Sequence, residues 1–269
     1  MTIESVAFSR RIRGHALRMV QRTNSSHIGS GLSMADIISV LYAKVIQLRP
    51  QDPDWAGRDR FLLSKGHAAA MLYAALHESG FFPHDWLERY CEFGSPLAGH
   101  VTHCKVPGVE ASSGSLGHGL GLACGMALAG KVDKASWRVF VVLSDGECDE
   151  GSIWEAAMFA PFHKLGNLTA IVDYNKIQSF GAVAEVLDLE PFADKWRAFG
   201  WQVTEVDGHD HAALESALAA HPFDGPPHLI LAHTLKGKGV SFMENKLMWH
   251  YKSPSPEQLA QALQEVEAG

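Results

Sequence analysis

The feature that most constrains the fold is a series of short, continuous apolar runs separated by helical stretches. The strongest extends from Arg138 to Leu143, and a second extends from Leu168 to Val172. Further runs lie at residues 60–64, 202–206 and 228–232. Strands without polar alternation are buried on both faces, as is typical of parallel sheets covered by helices. The pattern therefore predicts an α/β fold, a doubly wound and mainly parallel sheet with helices on both faces.

Helices are predicted on either side of these runs. The first 50 residues indicate two helices separated by a Gly/Ser-rich break at residues 25–31, and Ser33 is a candidate cap for the second helix. A crossover helix is expected at roughly residues 151–165, and Pro254-Ser255-Pro256 is expected to open a last amphipathic helix. Because there is no internal repeat or convincing linker, residues 1–269 are predicted to form a single domain.

The composition argues against several classes of protein. A net charge of -7 provides no positive field to attract nucleic acid. There is no apolar run of about 18 residues to span a membrane, and the segment from Met1 to Arg13 lacks the apolar core of a signal peptide. The four cysteines contain no CxxC pair, so a disulfide framework or zinc site is not expected. We therefore predict a cytoplasmic protein without nucleic-acid or membrane partners.

Polar and charged residues directly follow the apolar runs. These stretches are Ser64-Lys65-Gly66-His67, Ser144-Asp145-Gly146-Glu147, Asp173-Tyr174-Asn175 and His233-Thr234-Leu235-Lys236. In open parallel sheets, ligands bind at the carboxyl ends of the strands. The sequence therefore predicts that the functional residues lie in these four stretches.

Two of the stretches suggest a site for a metal and a diphosphate. Asp145-Gly146 follows the strongest strand, and Asn175 follows the next strand about 30 residues later. A right-handed crossover would bring the two strand ends together. Carboxylate and amide oxygens suit Mg²⁺ or Ca²⁺, and Gly146 allows close approach of a phosphate. Taken singly, however, an Asp-Gly after a strand is more often a turn and an Asn more often caps a helix.

The same residues resemble the thiamine diphosphate motif of thiamine enzymes. That motif begins Gly-Asp-Gly and ends in Asn about 30 residues on, whereas here Ser144 replaces the first glycine. The resemblance implies that thiamine diphosphate is the cofactor. It also implies that Asp145, the side chain of Asn175 and the carbonyl of Ile177 bind the metal.

Further stretches are similar, in the same order along the chain, to the N-terminal part of transketolases. They are Ser26-His27-Ile28-Gly29-Ser30, Leu63-Ser64-Lys65-Gly66-His67, Leu97-Ala98-Gly99-His100, Ser113-Gly114-Ser115-Leu116-Gly117 and Thr234-Leu235-Lys236-Gly237-Lys238-Gly239 with Trp249-His250. Any one of these matches is weak, but together with the metal motif they cover essentially the whole chain.

The resemblance implies a role for individual residues. Cofactor contacts are implied for Ser30, His67, Gly114, Ser115, Leu116, Gly146, Asn175, Lys236 and His250. The substrate channel would be lined by His27, His100 and His250, whose imidazoles suit proton transfer near neutral pH. A lone histidine is more often a surface or core residue. That simpler interpretation is kept for histidines outside the motifs, such as His15, His163 and His221.

The family's cofactor-activating glutamate and sugar-phosphate-binding basic residues belong to a second domain. The resemblance therefore implies the N-terminal subunit of a split transketolase, inactive alone and paired with a C-terminal subunit, in an expected α2β2 assembly. Its reaction would transfer a two-carbon ketol unit from a ketose or ketose phosphate to an aldehyde. Glu150 and Glu155 either face this partner or are solvated helix charges.

Two departures from the family pattern bear on the substrate. Val101-Thr102 replaces the usual Pro-Glu or Pro-Asp after His100, and His118 replaces a glutamine, both in loops expected near the substrate mouth. We therefore expect a specialised donor or acceptor. Alternatives are the α subunit of a 2-oxo acid dehydrogenase, a fragment of a deoxyxylulose phosphate synthase and a non-catalytic binding subunit. The segment Lys236 to Gly239, together with Trp249-His250, favours transketolase.

Overall fold

Five parallel strands form the central sheet of the computed structural model, which describes residues 4–219 and 223–269. The strands are β1 (Arg60–Leu63), β2 (Val139–Ser144), β3 (Leu168–Tyr174), β6 (Gln202–Asp207) and β7 (His228–His233). Their order in the sheet is β1-β2-β3-β7-β6, and every neighbouring pair is parallel. A separate antiparallel hairpin consists of β4 (Ile177–Gln178) and β5 (Gly181–Ala182). All the predicted strands are thus confirmed.

The helices cover both faces of this sheet. In chain order they are α1 (Ser5–Thr23), α2 (Ile28–Ser33), α3 (Ala35–Val40), α4 (Ala69–Glu78), α5 (Asp85–Glu88), α6 (His118–Val132), α7 (Gly151–Phe162), α8 (Val183–Val186), α9 (Phe192–Phe199), α10 (His211–Ala219) and α11 (Pro256–Ala268). A π-helical turn, Leu41–Val45, follows α3, and short 3₁₀ turns lie at Gly66–Ala68, Gly146–Asp149 and Leu247–His250.

Alternation along β2 shows why the strand sequence is continuously apolar. Phe140 and Val142 pack into one core together with α1, α3 and α4. Val139, Val141 and Leu143 pack into a second core with α6, α7 and α9. Since successive side chains of a strand point to opposite faces, both faces must be apolar when both are covered. This arrangement confirms the doubly wound parallel sheet.

The region before β1 differs from the prediction. Residues 28–31, expected within an irregular break, belong to the buried helix α2. Ser33 does not cap the following helix, because the cap position of α3 is Met34, without a side-chain cap bond. Instead the Ser33 hydroxyl donates to Asp173 Oδ2 at 2.5 Å. The cap prediction was wrong because a buried carboxylate in the sheet recruits this hydroxyl.

The C-terminal helix agrees with its sequence signals. Ser255 Oγ accepts from Gln258 N–H, and Gln258 Oε1 accepts from Ser255 N–H, so that α11 opens with a complete capping box. The crossover helix α7 ends at Phe162, three residues short of the expected end.

Two other features bear on the predicted protein class. Within residues 4–219 and 223–269, no helix combines the length and apolar character needed to cross a bilayer. All four cysteines are free thiols, with Cys91 and Cys104 exposed and Cys124 and Cys148 buried.

Candidate active site

A cleft of about 230 Å³ opens where β2 and β3 end. It is lined by His27, Ser30, His67, His100, Gly114, Leu116, Ser144, Asp145, Gly146, Asn175, Ile177, Gln178, Ser179, Lys236 and His250. Every predicted site residue except Ser115 is in this wall. Ser115 lies exposed on the loop before α6, so its role in cofactor binding stays a prediction. Gln178 and Ser179 are wall residues that the sequence did not single out, because the β4–β5 hairpin carries no motif of its own.

Asp145 is the buried carboxylate of the cleft, and it is 1% exposed. Its Oδ1 accepts from the backbone N–H of Gly146 at 2.8 Å, and its Oδ2 accepts from that of Lys176 at 2.6 Å. Burial raises the pKa of Asp145 to about 6, and the neighbouring carboxylate of Asp173 contributes to this rise. Both effects disfavour the charged form, and a bound cation would reverse them. The site therefore suits a divalent cation.

Two further oxygens complete a hard donor set. Asn175 directs its Nδ2 to Asp173 Oδ2 at 3.4 Å, and its Oδ1 accepts from Ile177 N–H at 3.2 Å. These contacts fix which end of the amide is the acceptor. The carbonyl of Ile177 accepts from Lys236 Nζ at 2.8 Å. Carboxylate, amide and carbonyl oxygens match the preferences of Mg²⁺ and Ca²⁺.

The same end of the cleft can receive an anion. Gly146 must lack a side chain, because a Cβ there would lie 2.7 Å from Cβ of Gln178. Lys236 is 1% exposed, and its Nζ contacts two neutral groups, the Ile177 carbonyl and Nδ1 of His250 at 3.2 Å. Burial, and then the nearby Lys65, lower the pKa of Lys236 to about 8. Its ammonium remains available to pair with a phosphate group at neutral pH.

Four imidazoles converge on the other side of the cleft. The ring centroid of His27 lies 5.1 Å from that of His67, 5.7 Å from that of His100 and 4.9 Å from that of His250. His27 adopts a left-handed backbone with φ 72°, a conformation that is uncommon outside functional sites and turns. Its N–H donates to the carbonyl of His250 at 2.9 Å, which links two of the four rings through the backbone.

Three of these imidazoles are neutral at pH 7. The pKa of His27 is lowered to about 4 and that of His250 to about 3. Burial is the largest cause of both shifts, and neighbouring cationic groups add to them. Burial also holds the pKa of His67 well below 6.5. Ser30 Oγ lies 2.9 Å from Nε2 of His67 and orients that ring. Each neutral ring carries one donor and one acceptor nitrogen, so the cluster can both take and give protons.

A buried ion pair, Lys65 with Asp173, lies directly behind the cleft. Lys65 Nζ donates to Asp173 Oδ2 at 2.5 Å and to the carbonyl of Ser30 at 3.0 Å. Ser33 and Thr234 donate their hydroxyls to the same carboxylate. Burial opposes ionisation of Asp173, but the charge of Lys65 and the hydrogen bonds from Lys65, Ser33 and Thr234 together outweigh it and lower the carboxyl pKa. The sequence indicated Lys65 and Asp173 separately, as residues at strand ends. It could not show that they pair, because Lys65 follows β1 and Asp173 lies in β3, with β2 between these strands.

Another buried carboxylate, Glu147, anchors the loop before α6. Its Oε1 accepts from Gly117 N–H at 2.9 Å and from the hydroxyl of Ser64, and its Oε2 accepts from Ser144 N–H at 3.2 Å. Gly117 has φ 87°, and a Cβ there would lie 2.4 Å from Ser152 Oγ. These contacts hold Gly114 and Leu116 against the cleft.

The wall of the cleft does not include His163 or the residues whose departure from the family pattern bears on the substrate, Val101, Thr102 and His118. His118 is the first residue of α6 and lines a groove between α6 and α7, so the prediction that it lies in a loop was wrong, while its nearness to the substrate mouth stays a prediction. Val101 is buried and its N–H donates to the carbonyl of Gly66, whereas Thr102 is half-buried. His163 packs against Phe159 and Phe162, as expected of a structural residue. His221 lies outside the described residues.

Comparison with known proteins identifies relatives that match almost the full chain. The family model described as transketolase, thiamine diphosphate binding domain, matches residues 5–265. The chain is 41% identical over 268 residues to a subunit of apulose-4-phosphate transketolase from Phocaeicola vulgatus, and the match covers 99% of this chain and 95% of that protein. It is also 41% identical over 257 residues to 6-deoxy-6-sulfo-D-fructose transketolase subunit SqwG of Clostridium sp. strain MSTE9, covering 95% of this chain and 94% of that protein.

A solved structure shows the same fold. Transketolase from Campylobacter jejuni superimposes on 99% of this chain with a TM-score of 0.92 and 31% sequence identity. The matched region is 43% of that transketolase chain. This chain therefore spans nearly all of the two relatives that are named as subunits, and less than half of the crystallised transketolase.

Proposed function

This chain belongs to the transketolase family, and from that premise we propose that it is the N-terminal, thiamine diphosphate-binding subunit of a two-component transketolase. The reaction is transfer of a two-carbon ketol unit from a ketose or ketose phosphate to an aldehyde. The observation that carries the proposal is the cleft itself. Asp145, Asn175 and Ile177 provide hard oxygens at one end, and neutral imidazoles gather at the other.

The chain's residues fit a metal and a diphosphate. Asp145, Asn175 and the carbonyl of Ile177 would hold Mg²⁺ or Ca²⁺. The contacts proposed for thiamine diphosphate are Ser30, His67, Gly114, Ser115, Leu116, Gly146, Asn175, Lys236 and His250. When bound, the cofactor supplies the carbon nucleophile of the reaction. Lys236 supports this arrangement, because it offers a buried positive charge beside the carbonyl of Ile177.

The histidines would manage protons at the substrate. His27, His100 and His250 would accept a proton from one sugar hydroxyl and donate to another oxygen. Because His27 and His250 are neutral at pH 7, they can act as bases without first losing a proton. Their N–H groups would also stabilise negative charge that develops on a carbonyl oxygen.

An exposed apolar surface on α6 and α7 supports a separate partner chain. Leu122, Met158 and Phe162 are 45%, 53% and 81% exposed, which is unusual for such large side chains at one surface. A Cβ added at Gly121 or Gly125, on the same side of α6, would meet nothing within 4 Å among the residues that the structure describes. Packing within this chain therefore does not explain these glycines, whereas close docking of another chain would.

The partner would supply what this domain lacks. We infer that it contributes the carboxylate that activates the cofactor and the basic residues that hold a sugar phosphate, in an α2β2 heterotetramer in the cytoplasm. Glu150 and Glu155 are exposed beside the apolar surface, and Glu155 lines the groove between α6 and α7. Their position supports contact with the partner.

The substrate is proposed to differ from the common pentose phosphates. Val101-Thr102 departs from the family pattern beside His100, a residue of the cleft wall. Two relatives at 41% identity are named for apulose 4-phosphate and for 6-deoxy-6-sulfo-D-fructose. Full turnover of xylulose 5-phosphate with ribose 5-phosphate by the reconstituted pair would contradict this part of the proposal.

Ketol transfer by the reconstituted pair tests the proposed function. The chain, its partner, thiamine diphosphate and Mg²⁺ are combined, and product is measured over a panel of ketoses and aldehydes. We expect activity only from the pair. Asp145→Asn should lower kcat/KM at least ~100-fold because a metal ligand loses its charge, whereas Asp133→Asn, at an exposed position after α6, should not. Activity of the chain alone, or of the Asp145→Asn pair at the wild-type rate, would contradict the proposal.

The alternative of a non-catalytic binding subunit makes a different prediction. Such a subunit would bind thiamine diphosphate without turnover with any partner or sugar. The complete set of metal donors together with four clustered imidazoles favours catalysis, because binding alone does not require proton-transfer groups.

A further inference from the structure

Three histidines outside the cleft form a second imidazole cluster. His15 lies in α1, His77 is in the last turn of α4, and His84 immediately precedes α5. Their ring centroids form a nearly equilateral triangle with sides of 5.3, 5.3 and 5.2 Å. One ring nitrogen from each residue lies within 4.8 Å of those of the other two. Convergence from three separate elements distinguishes this cluster from neighbours along one helix.

The cluster is remote from the cleft. Helix α4 separates them, since His67 lies just before its first residue and His77 lies in its last turn. A helix of this length spans roughly 15 Å at about 1.5 Å per residue. A ligand of one cluster therefore cannot contact the other.

Hydrogen bonds orient two of the three rings, each through one ring nitrogen. Nδ1 of His77 lies 3.0 Å from the carbonyl of Phe82 and donates to it, which leaves Nε2 with a free lone pair. Nε2 of His15 lies 2.9 Å from Oε1 of Glu78, a carboxylate that Arg11 also binds at 2.5 Å. Metal-bound histidines are held in this way, with the second nitrogen donating to a carbonyl or carboxylate.

The loop between α4 and α5 is also fixed in place. Phe82 stacks on Trp86 with a centroid distance of 5.1 Å and an interplanar angle of 13°. Phe81 and Phe82 are both buried. His84 is therefore brought to the other two rings by a packed loop, although its own side chain remains 54% exposed.

We propose that His15, His77 and His84 form a zinc site that fastens α1 to the connection between α4 and α5. Neutral imidazoles favour Zn²⁺ and neighbouring transition metals over Mg²⁺. Tetrahedral Zn–N bonds of about 2.0–2.1 Å separate ligand nitrogens by about 3.4 Å, so the rings need to close by on the order of 1 Å. The exposed His84 side chain can make this movement. Three histidines leave a fourth position for water.

Metal titration of the tag-free chain, stripped with chelator and kept without thiamine diphosphate, tests this site. Zn²⁺ is titrated by calorimetry, and Co²⁺ is followed by visible absorption as a probe of tetrahedral nitrogen coordination. We expect one equivalent of Zn²⁺ with Kd below about 10 µM (~7 kcal/mol), tetrahedral Co²⁺ bands, and a rise in Tm of several degrees. His84→Ala should weaken binding at least ~tenfold and abolish the rise in Tm.

Two control variants separate this site from other histidines. Apart from the other two rings of the cluster, the polar contact recorded for the exposed His84 side chain among the described residues is 3.9 Å to Glu88, so His84→Ala should fold normally. His163→Ala, at a half-buried histidine just after α7, and His27→Gln, in the cleft cluster, should bind Zn²⁺ as wild type does. No binding below about 100 µM (~5.5 kcal/mol) would overturn the proposal. Unchanged binding in His84→Ala would overturn it as well, and so would its loss in His27→Gln.

Discussion

Replacing Lys65 by methionine should destabilise the protein more than any surface change. Both side chains of the Lys65–Asp173 pair are 0% exposed. Lys65→Met keeps the approximate length of the side chain but removes the ammonium. Asp173 would then remain as a buried carboxylate, still accepting from Ser33 and Thr234 but without a positive partner.

The expected magnitude follows from the burial of the pair. Removing one partner of a buried ion pair costs about 3–5 kcal/mol, because the other charge is left uncompensated. In a domain of this size, about 1 kcal/mol corresponds to a shift in Tm of roughly 2–4 °C, so Lys65→Met should lower Tm by roughly 6–20 °C. In the double variant Lys65→Met/Asp173→Asn neither charge of the pair remains, so most of this loss should be recovered.

Urea unfolding of the two single variants and the double variant measures the coupling between the side chains. We expect a coupling free energy of at least about 2 kcal/mol. Lys252→Met, at an exposed position, is the matched control and should change stability by less than about 0.5 kcal/mol. A loss below about 1 kcal/mol in Lys65→Met, or simple additivity in the double variant, would refute the reasoning.

Two further variants test the partner surface and the neutral histidines. Gly125→Arg should leave the chain folded, with helix α6 more stable by up to about 1 kcal/mol. It should nevertheless abolish co-purification with the partner. The control Ala260→Arg, at an exposed position on α11, should co-purify with the partner as wild type does. Assembly of Gly125→Arg at wild-type affinity would exclude this face from the interface. The pKa of His27 is about 4 in the folded chain, whereas the unfolded chain has the ordinary value of 6.5. As the pH falls from 6.5 towards 4, the unfolded chain therefore binds a proton before the folded chain does, and the folded state loses stability. His27→Gln should thus show a smaller fall in Tm than wild type between about pH 6.5 and pH 4.5, and equal falls would contradict the assigned cause.

The sequence predicted the sheet and the strand-end residues of the cleft from local patterns, whereas the resemblance to transketolases implied the other residues of the cleft wall. Continuous apolar runs are typical of strands covered on both faces, and β2 and β3 are buried over their full length. Residues that follow adjacent parallel strands must meet at one edge. Asp145 and Asn175 could therefore be paired without knowledge of the rest of the chain.

Contacts between distant segments could not be predicted in the same way. Ser33 resembles a helix cap locally, but the carboxylate that binds its hydroxyl is 140 residues away in sequence. The pairing of Lys65 with Asp173 likewise depends on how β1 and β3 flank β2. His15 resembled an ordinary histidine because its two neighbours, His77 and His84, lie on other elements of the fold.

Native mass spectrometry of the complex, purified gently from its source cells, tests the central claim most directly. We expect a heteromer of this chain with a second chain, with added mass equal to thiamine diphosphate plus one divalent metal per site. We also expect this added mass to be absent when the chain carries Asp145→Ala. A homo-oligomer of this chain that transfers ketol units unaided would contradict the account, as would an active complex without the cofactor.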